Sequence, residues 1–433
     1  MIRKFQPSEF YYFPFKLLRG LNIPQFGKLM REFQLFKPLT LYTSFMTYKI
    51  QRAMSRLSIF GFLTVLLMAA CSAGTDPLTY NENESDPVKA AQIKPELVNS
   101  NLSNPWGMAF LPDGKILVTE KEGRIVLLEN GEIINNNVSG GPRIKVQGQG
   151  GLLDIELHPN FESNRWIYFT YSSDAGEGNG AMTALARAQW NGSSFENFAQ
   201  LYKGSPNTTA GQHFGSRIAF DAQNHVYFSI GDRGNRDNNP QDITRDGGKI
   251  YRLNDDGSIP SDNPFVGQDG AREAIYSYGH RNPQGLATNP ATGEIWEHEH
   301  GPQGGDEVNL IKAGANYGWP VITYGVNYGG APITDETARE GMEQPVTYWV
   351  PSIAPCGMAF VQNSNYDGWD GDLIVGSLKF SYLVRLVIED NKVVKEEKIA
   401  EGIGRVRNVE MGNDGYLYVG VEGGGLYRLV VEQ

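Results

Sequence analysis

Cysteine and positive charge are scarce in this chain, and so are long apolar runs. Two cysteines occur in 433 residues, Cys71 and Cys356. Only Cys356 lies in the region read below as folded, and one thiol cannot close an internal disulfide. No apolar stretch reaches the ~20 residues that a comfortable membrane-spanning helix needs; the longest, over 57–70, stops short of it. Past residue 95 there is no amphipathic pattern of four helical turns, so helices do not build the fold. Of 38 Lys and Arg and 49 Asp and Glu, ten basic and two acidic residues fall within 1–70, so the remainder carries 28 against 47, a net charge of −19. Such a surface repels nucleic acid, and no nucleic-acid partner is expected.

What the N-terminal region does have is a leader. "MSRLSIFGFLTVLLMAAC", from Met54 to Cys71, begins basic, turns apolar and ends in small residues before a cysteine. That is the layout of a bacterial lipoprotein signal peptide. On this reading 54–70 is the signal, Cys71 becomes the lipidated first residue, and 71–94 is a flexible polar tether. Residues 1–53 carry no fold pattern and read as an upstream extension of a protein that starts at Met54. The expected location is the cell envelope: exported, periplasmic or outer, touching membrane only through the anchor at Cys71.

From about residue 95 one theme recurs six times: a Gly-led or apolar strand, a tight turn, a β-rich strand, then a third alternating strand. The copies begin at "PWGMAF", "GGLLDIEL", "FGSRIAF", "PQGLAT", "APCGMAF" and "RNVEMG". Period-2 alternation broken by turns every ~8–12 residues argues for short antiparallel strands. Sixfold recurrence favours an all-β, six-bladed β-propeller of four-stranded antiparallel blades over 95–433, in preference to a pair of β-sandwiches.

In a propeller the start of each innermost strand faces one end of the central channel, so residues far apart in sequence become neighbours. Gln149 leads into the second copy and His213 into the third. Arg281 and Asn282 lead into the fourth, Lys379 follows the fifth, and Arg405 and Arg407 open the sixth. Cations gathered inside an acidic shell suit a compact polyanion. Arg405 and Arg407, two apart on one strand, share a face.

Taken together, "GQGGLLDIELHPNF", "HFGSRIAF", "SIGDRGNRDN", "GKIYRLNDDGSIPSDNPF", "GHRNPQGLA", "EHEHGPQGGDEVNLIKAGANYGWP", "GSLK" and "RVRN" resemble the soluble pyrroloquinoline-quinone (PQQ)-dependent sugar dehydrogenases, particularly the aldose sugar dehydrogenase branch. The resemblance implies a tricarboxylate ortho-quinone cofactor held by Arg281, Asn282, Lys379, Arg405 and Arg407, with Gln149 lining its pocket. It implies a calcium ion against the quinone on the carbonyls of Gly301 and Pro302, and a structural calcium on the Glu307 carboxylate and the Tyr317 carbonyl.

Oxidising an aldose at its anomeric carbon removes a hydroxyl proton together with a hydride, and a base with pKa near neutrality suits that task. His213 stands at the ring entrance, and "GDRG" puts Asp232 at the outgoing end of the next strand. By resemblance His213 is the base and Asp232 its partner, with the aldose as substrate and a quinone, cytochrome or dye as electron acceptor. Two other classes fit parts of the pattern: a calcium-dependent lactonase-type hydrolase, and a carbohydrate-binding lipoprotein using Trp106, Trp296, Trp319, Trp349 or Tyr324 as platforms. In "IWEHEHGP", alternation sends Glu297 and Glu299 to one face and His298 and His300 to the other. A zinc site needs three or four converging donors and this strand offers two per face, so no transition-metal site is expected. His158 and His280 read as structural. Cys356 stands where the family pattern suggests a small hydroxyl residue and reads as a space-filler.

Overall fold

The computed structural model describes residues 87–432. The expected signal peptide, lipid-anchored Cys71 and upstream extension lie outside the described residues. Within them the chain forms six four-stranded antiparallel sheets. Their inner strands are Pro105–Phe110, Leu152–Leu157, Ile218–Phe220, Pro283–Thr288, Pro355–Phe360 and Arg405–Met411. Each packs on the inner strands of both neighbouring blades, the sixth against the first, so the ring is closed. The only α-helix among the described residues is one turn, Phe161–Asn164.

Closure uses a strand that lies partly in the stretch read as tether. Ala90–Gln92 forms a short 3-10 turn, and Ile93–Asn99 then pairs antiparallel with Gly425–Val431 as the outermost strand of the sixth blade. The first and last parts of the domain are thus joined in one sheet. The tether reading over 87–94 fails because this edge strand is polar: only Ile93 and Asn99 are buried along it.

Apolar alternation on each strand produces six cores, one at every blade interface. Leu117 and Ile125 of the first blade meet Ile155 and Phe169 of the second. Ile374 and Leu383 of the fifth meet Val409 and Val419 of the sixth. Burying one such side chain stabilises by ~1.5–3 kcal/mol, so the interfaces together outweigh any single loop contact. The interface between the third and fourth blades differs. Its apolar cluster is small, with Tyr227 and Ile250 against Leu286 and Ile295, and nearby buried positions are acidic.

Arg217 sits on the channel axis and ties the blades together. Beside the third blade's inner strand, its guanidinium meets the Asp154 carboxylate at 2.8 Å. It donates to the carbonyls of Trp106 and Gln284 at 3.1 Å each, and of Arg407 at 2.6 Å. Cys356 Sγ of the fifth blade lies 3.8 Å away. One side chain therefore touches all five other blades. Cys356 is fully buried and donates its S–H to the Arg407 carbonyl at 3.0 Å, which agrees with a space-filling role.

Candidate active site

Two cavities open at the channel end where the inner strands begin. One, of about 410 Å³, is lined by Trp106, Lys121, Asn282, His300, Arg405 and Arg407 among others. The second, of about 520 Å³, is lined by His213, Asp232, Arg236, Arg281, Pro302 and Trp319 among others. Gln149 belongs to both. The ring thus gathers residues from every quarter of the chain.

His213 is held with a backbone φ of 58°, a conformation a non-glycine residue adopts only where its surroundings impose it. Gln149 imposes it in part, its side-chain oxygen accepting the His213 N–H at 2.8 Å. His213 Nδ1 lies 2.6 Å from Asp232 Oδ1. Asp232 is almost fully buried and also accepts from Trp319 Nε1 at 2.9 Å and the Gly234 N–H at 2.7 Å. Burial alone would raise its pKa; the hydrogen bond and charge of His213, then the charge of Arg281, outweigh this and hold the carboxyl below its ordinary range. An ionised carboxylate at Nδ1 fixes the ring's orientation and leaves Nε2 as the nitrogen for chemistry in the cavity. Gly231 is required beside this pair, since a Cβ there would stand 2.5 Å from the His213 carbonyl oxygen.

Arg405 and Arg407 do share a face, and both grip Glu422. Arg405 Nε meets Glu422 Oε2 at 2.5 Å and Arg407 Nε meets Oε1 at 2.8 Å. Burial raises the Glu422 pKa, but the charge of Arg407, then its hydrogen bond and Arg405, bring it below the ordinary range. Two guanidinium groups on one carboxylate leave a net positive charge, to which Lys121 adds. Arg281 donates to the carbonyls of His300 and Gly301 at 2.8 and 2.7 Å. Its own carbonyl accepts the Asp232 N–H at 2.7 Å, joining the cationic part of the ring to the His–Asp pair.

The family model for glucose and sorbosone dehydrogenases matches residues 102–428. The chain belongs to the glucose/sorbosone dehydrogenase family. It is 39% identical over 334 residues to the aldose sugar dehydrogenase YliI of Escherichia coli K12, covering 76% of this chain and 90% of that one. The crystal structure of the Escherichia coli aldose sugar dehydrogenase in its apo form aligns with a TM-score of 0.74 at 36% identity, covering 78% and 99%. The PQQ-bound form of an aldose sugar dehydrogenase from Streptomyces coelicolor aligns with a TM-score of 0.66 at 27% identity, covering 80% and 99%. As a member of this family the protein is an oxidoreductase acting on sugar donors. That answers the hydrolase and the non-catalytic readings.

Among the expected residues of this dehydrogenase, Gln149, His213, Asp232, Arg281, Asn282, Arg405, Arg407 and Pro302 line the two cavities. Lys379 does not. Leu378 turns into the first cavity instead, and the exposed Lys379 carries its ammonium over the Phe380 ring at 4.9 Å. Lys121, which the sequence did not single out, also lines the first cavity. Gly301 is buried, and a Cβ there would meet the Gly305 and Gly304 carbonyl oxygens at 2.2 and 2.3 Å. The loop around Gly301 is therefore dense in backbone oxygens. Glu307 stands opposite Glu299 on the neighbouring strand; burial, then the Glu299 charge, raise its pKa well above the ordinary range. The Tyr317 ring stacks on His280 at 4.5 Å. His298 packs beneath the ring, its pKa pushed down to about 3 by burial. His300 is likewise held neutral, with Nε2 2.7 Å from the Pro355 carbonyl oxygen.

Proposed function

We propose that the protein oxidises aldoses at the anomeric carbon to the lactone, using PQQ and calcium. The observation that carries this reading is the His213–Asp232 contact, opening beside a cavity with Lys121, Arg405 and Arg407 in its wall. Those cations, with Arg281, suit a planar tricarboxylate, and the residues proposed to hold it are Gln149, Arg281, Asn282, Arg405 and Arg407. Lys379, exposed over Phe380 and outside both cavity linings, would have to turn from that ring to join them. The oxygen-dense turn at Gly301 and Pro302 suits a hard cation, since calcium takes oxygen ligands at flexible geometry. A second calcium is proposed at Glu307 and the Tyr317 carbonyl. When bound, the quinone supplies the two-electron acceptor and calcium the Lewis acidity beside it.

The chain's own residues do the rest. The aldose enters the His213 cavity with its anomeric hydroxyl toward Nε2. His213 takes that proton as the hydride leaves the same carbon, and the carbonyl of the lactone forms. Asp232 stabilises the imidazolium and keeps Nδ1 oriented, as the carboxylate does in hydrolase triads. Trp319, bonded to Asp232 and lining the cavity, shields the pair from water. Electrons then pass to a quinone, a cytochrome or an artificial dye, and the protein works in the cell envelope, anchored at Cys71.

The direct test is reconstitution. Chelated protein given PQQ and calcium, then an aldose and a redox dye, is expected to reduce the dye; protein given quinone under continued chelation is not. No dye reduction with any aldose would end the assignment, and undiminished reconstitution under chelation would remove calcium from it.

A further inference from the structure

The interface between the third and fourth blades holds a group of donors that the redox reading does not use. Glu297 and Glu299 share one face of the strand Ile295–Glu299, as alternation requires. The third donor comes from the segment that links the third blade to the fourth. His280 presents Nδ1 to the same point, and one donor atom from each of the three lies within 4.8 Å of the others. All three residues are buried. Reading two donors per face from the strand alone missed this convergence.

The local hydrogen bonding leaves the centre of the group unfilled. His280 Nε2 is 2.9 Å from Ser277 Oγ. In the tautomer that donates Nε2–H to Ser277, Nδ1 turns a lone pair toward the carboxylates. Nδ1 stands 3.4 Å from Glu299 Oε1 without hydrogen-bond geometry. Glu297 Oε2 accepts from Asn309 Nδ2 at 3.1 Å, while Glu297 Oε1, Asn309 Oδ1 and His280 Nδ1 have no partner. Among the described residues no Lys or Arg forms an ion pair with Glu297 or Glu299. Two carboxylates and an imidazole lone pair in a dry interface need either a bound cation or protons taken up by the carboxylates.

We propose that His280, Glu297 and Glu299, with Asn309 Oδ1 as a fourth donor, form a structural site for a divalent transition-metal ion such as zinc or manganese. A nitrogen donor beside two carboxylates matches these ions better than calcium, which takes six to eight oxygens. Metal–donor distances of ~2.0–2.2 Å place donors ~3–4 Å apart, so the observed spacing closes with small side-chain movement. Without the ion, burial first and then the charge of Glu299 raise the Glu297 pKa well above its ordinary range. Protons would then replace the metal, at lower affinity for the closed arrangement.

The site also bears on the active ring. Glu299 Oε2 accepts the backbone N–H groups of Arg281 and, at 3.1 Å, Asn282. A metal on Glu299 would therefore brace the segment that carries both residues into the cavities.

The test uses full-length protein without quinone, so its result is independent of the redox reading. Chelated and desalted protein is offered zinc, manganese or calcium alone; bound metal is read by elemental analysis and Tm by calorimetry. About one equivalent of zinc or manganese should be retained, with a raised Tm. Glu297→Gln and His280→Gln should weaken retention on the order of 100-fold, while Glu410→Gln, at the far end of the channel, keeps it. The Tm of each chelated variant shows whether it folds; Glu297→Gln is close in shape to the native side chain and is expected to match chelated wild type. Failure of wild type to retain either ion, or equal retention in folded Glu297→Gln, would overturn the site. Calcium retained in their place and lost in Glu297→Gln would overturn the transition-metal assignment, whereas calcium kept by that variant belongs to the calcium sites proposed above.

Discussion

At the scale of single residues, the proposed function divides groups that would touch the reacting atoms from groups that hold them in place. Asp232 is the clearest of the second kind. Its carboxylate receives His213 Nδ1, Trp319 Nε1 and the Gly234 N–H, so removing its charge should misorient the base without emptying the cavity. Asp232→Asn is expected to lower turnover by ~10²–10⁴-fold with little change in aldose KM, read by steady-state dye reduction on reconstituted protein. His213 and Asp232 were legible because few side chains make a neutral-pH base and because a repeat boundary places them at the ring. Lys121 was not, since a charged residue in a turn is ordinary until its neighbours are known. The donors at His280 were hidden for a related reason: one strand's alternation says nothing about what the segment linking two blades presents.

The inner strands are the elements that carry the fold, and both of their ends matter. Their starts build the active ring, while their far ends carry Glu156 and Glu410, which line a cavity of about 340 Å³ at the opposite end of the channel. Burial, then the charge of Asp154, push the Glu410 pKa up to about 8. The folded state therefore holds a proton that the unfolded chain has released above the ordinary carboxyl range. Stability should fall as pH rises from about 4.5 to about 8. Glu410→Gln should flatten that slope and raise Tm at pH ~8.5 relative to wild type, the gain in unfolding free energy being at most ~1.4 kcal/mol for each pH unit of that window. A slope unchanged in the variant would reassign the titration to another group. All six inner strands were legible, each announced by a Gly-led or apolar start and a turn. The closing strand Ile93–Asn99 was not, because an outermost strand with one buried residue at each end lacks the alternation that marks its neighbours.

For the whole molecule, closure of the ring is the condition for everything at its mouth. Arg217 joins all six blades from the axis, and its position could not be read from "HFGSR", where it looks like one more cation beside a strand. Removing one partner of a buried, hydrogen-bonded ion pair costs ~3–5 kcal/mol. Arg217→Met is expected to destabilise the domain by about that amount in denaturant titration and to weaken quinone binding through the shared Arg407 and Trp106 carbonyls. A loss within ~0.5 kcal/mol, the size of an ordinary surface substitution, would mean that the inter-blade cores alone hold the ring. The acidic shell and cationic mouth were visible in composition and repeat position; the sharing of Glu422 by Arg405 and Arg407 needed the closed geometry.

In the proposed function a quinone site and a His–Asp base meet at Gln149, which lines both cavities. Measuring quinone affinity and dye-reduction turnover side by side for wild type and His213→Ala tests it most directly. Unchanged quinone affinity with turnover lowered ~10²–10⁴-fold is the expected result, whereas turnover near that of wild type would contradict it.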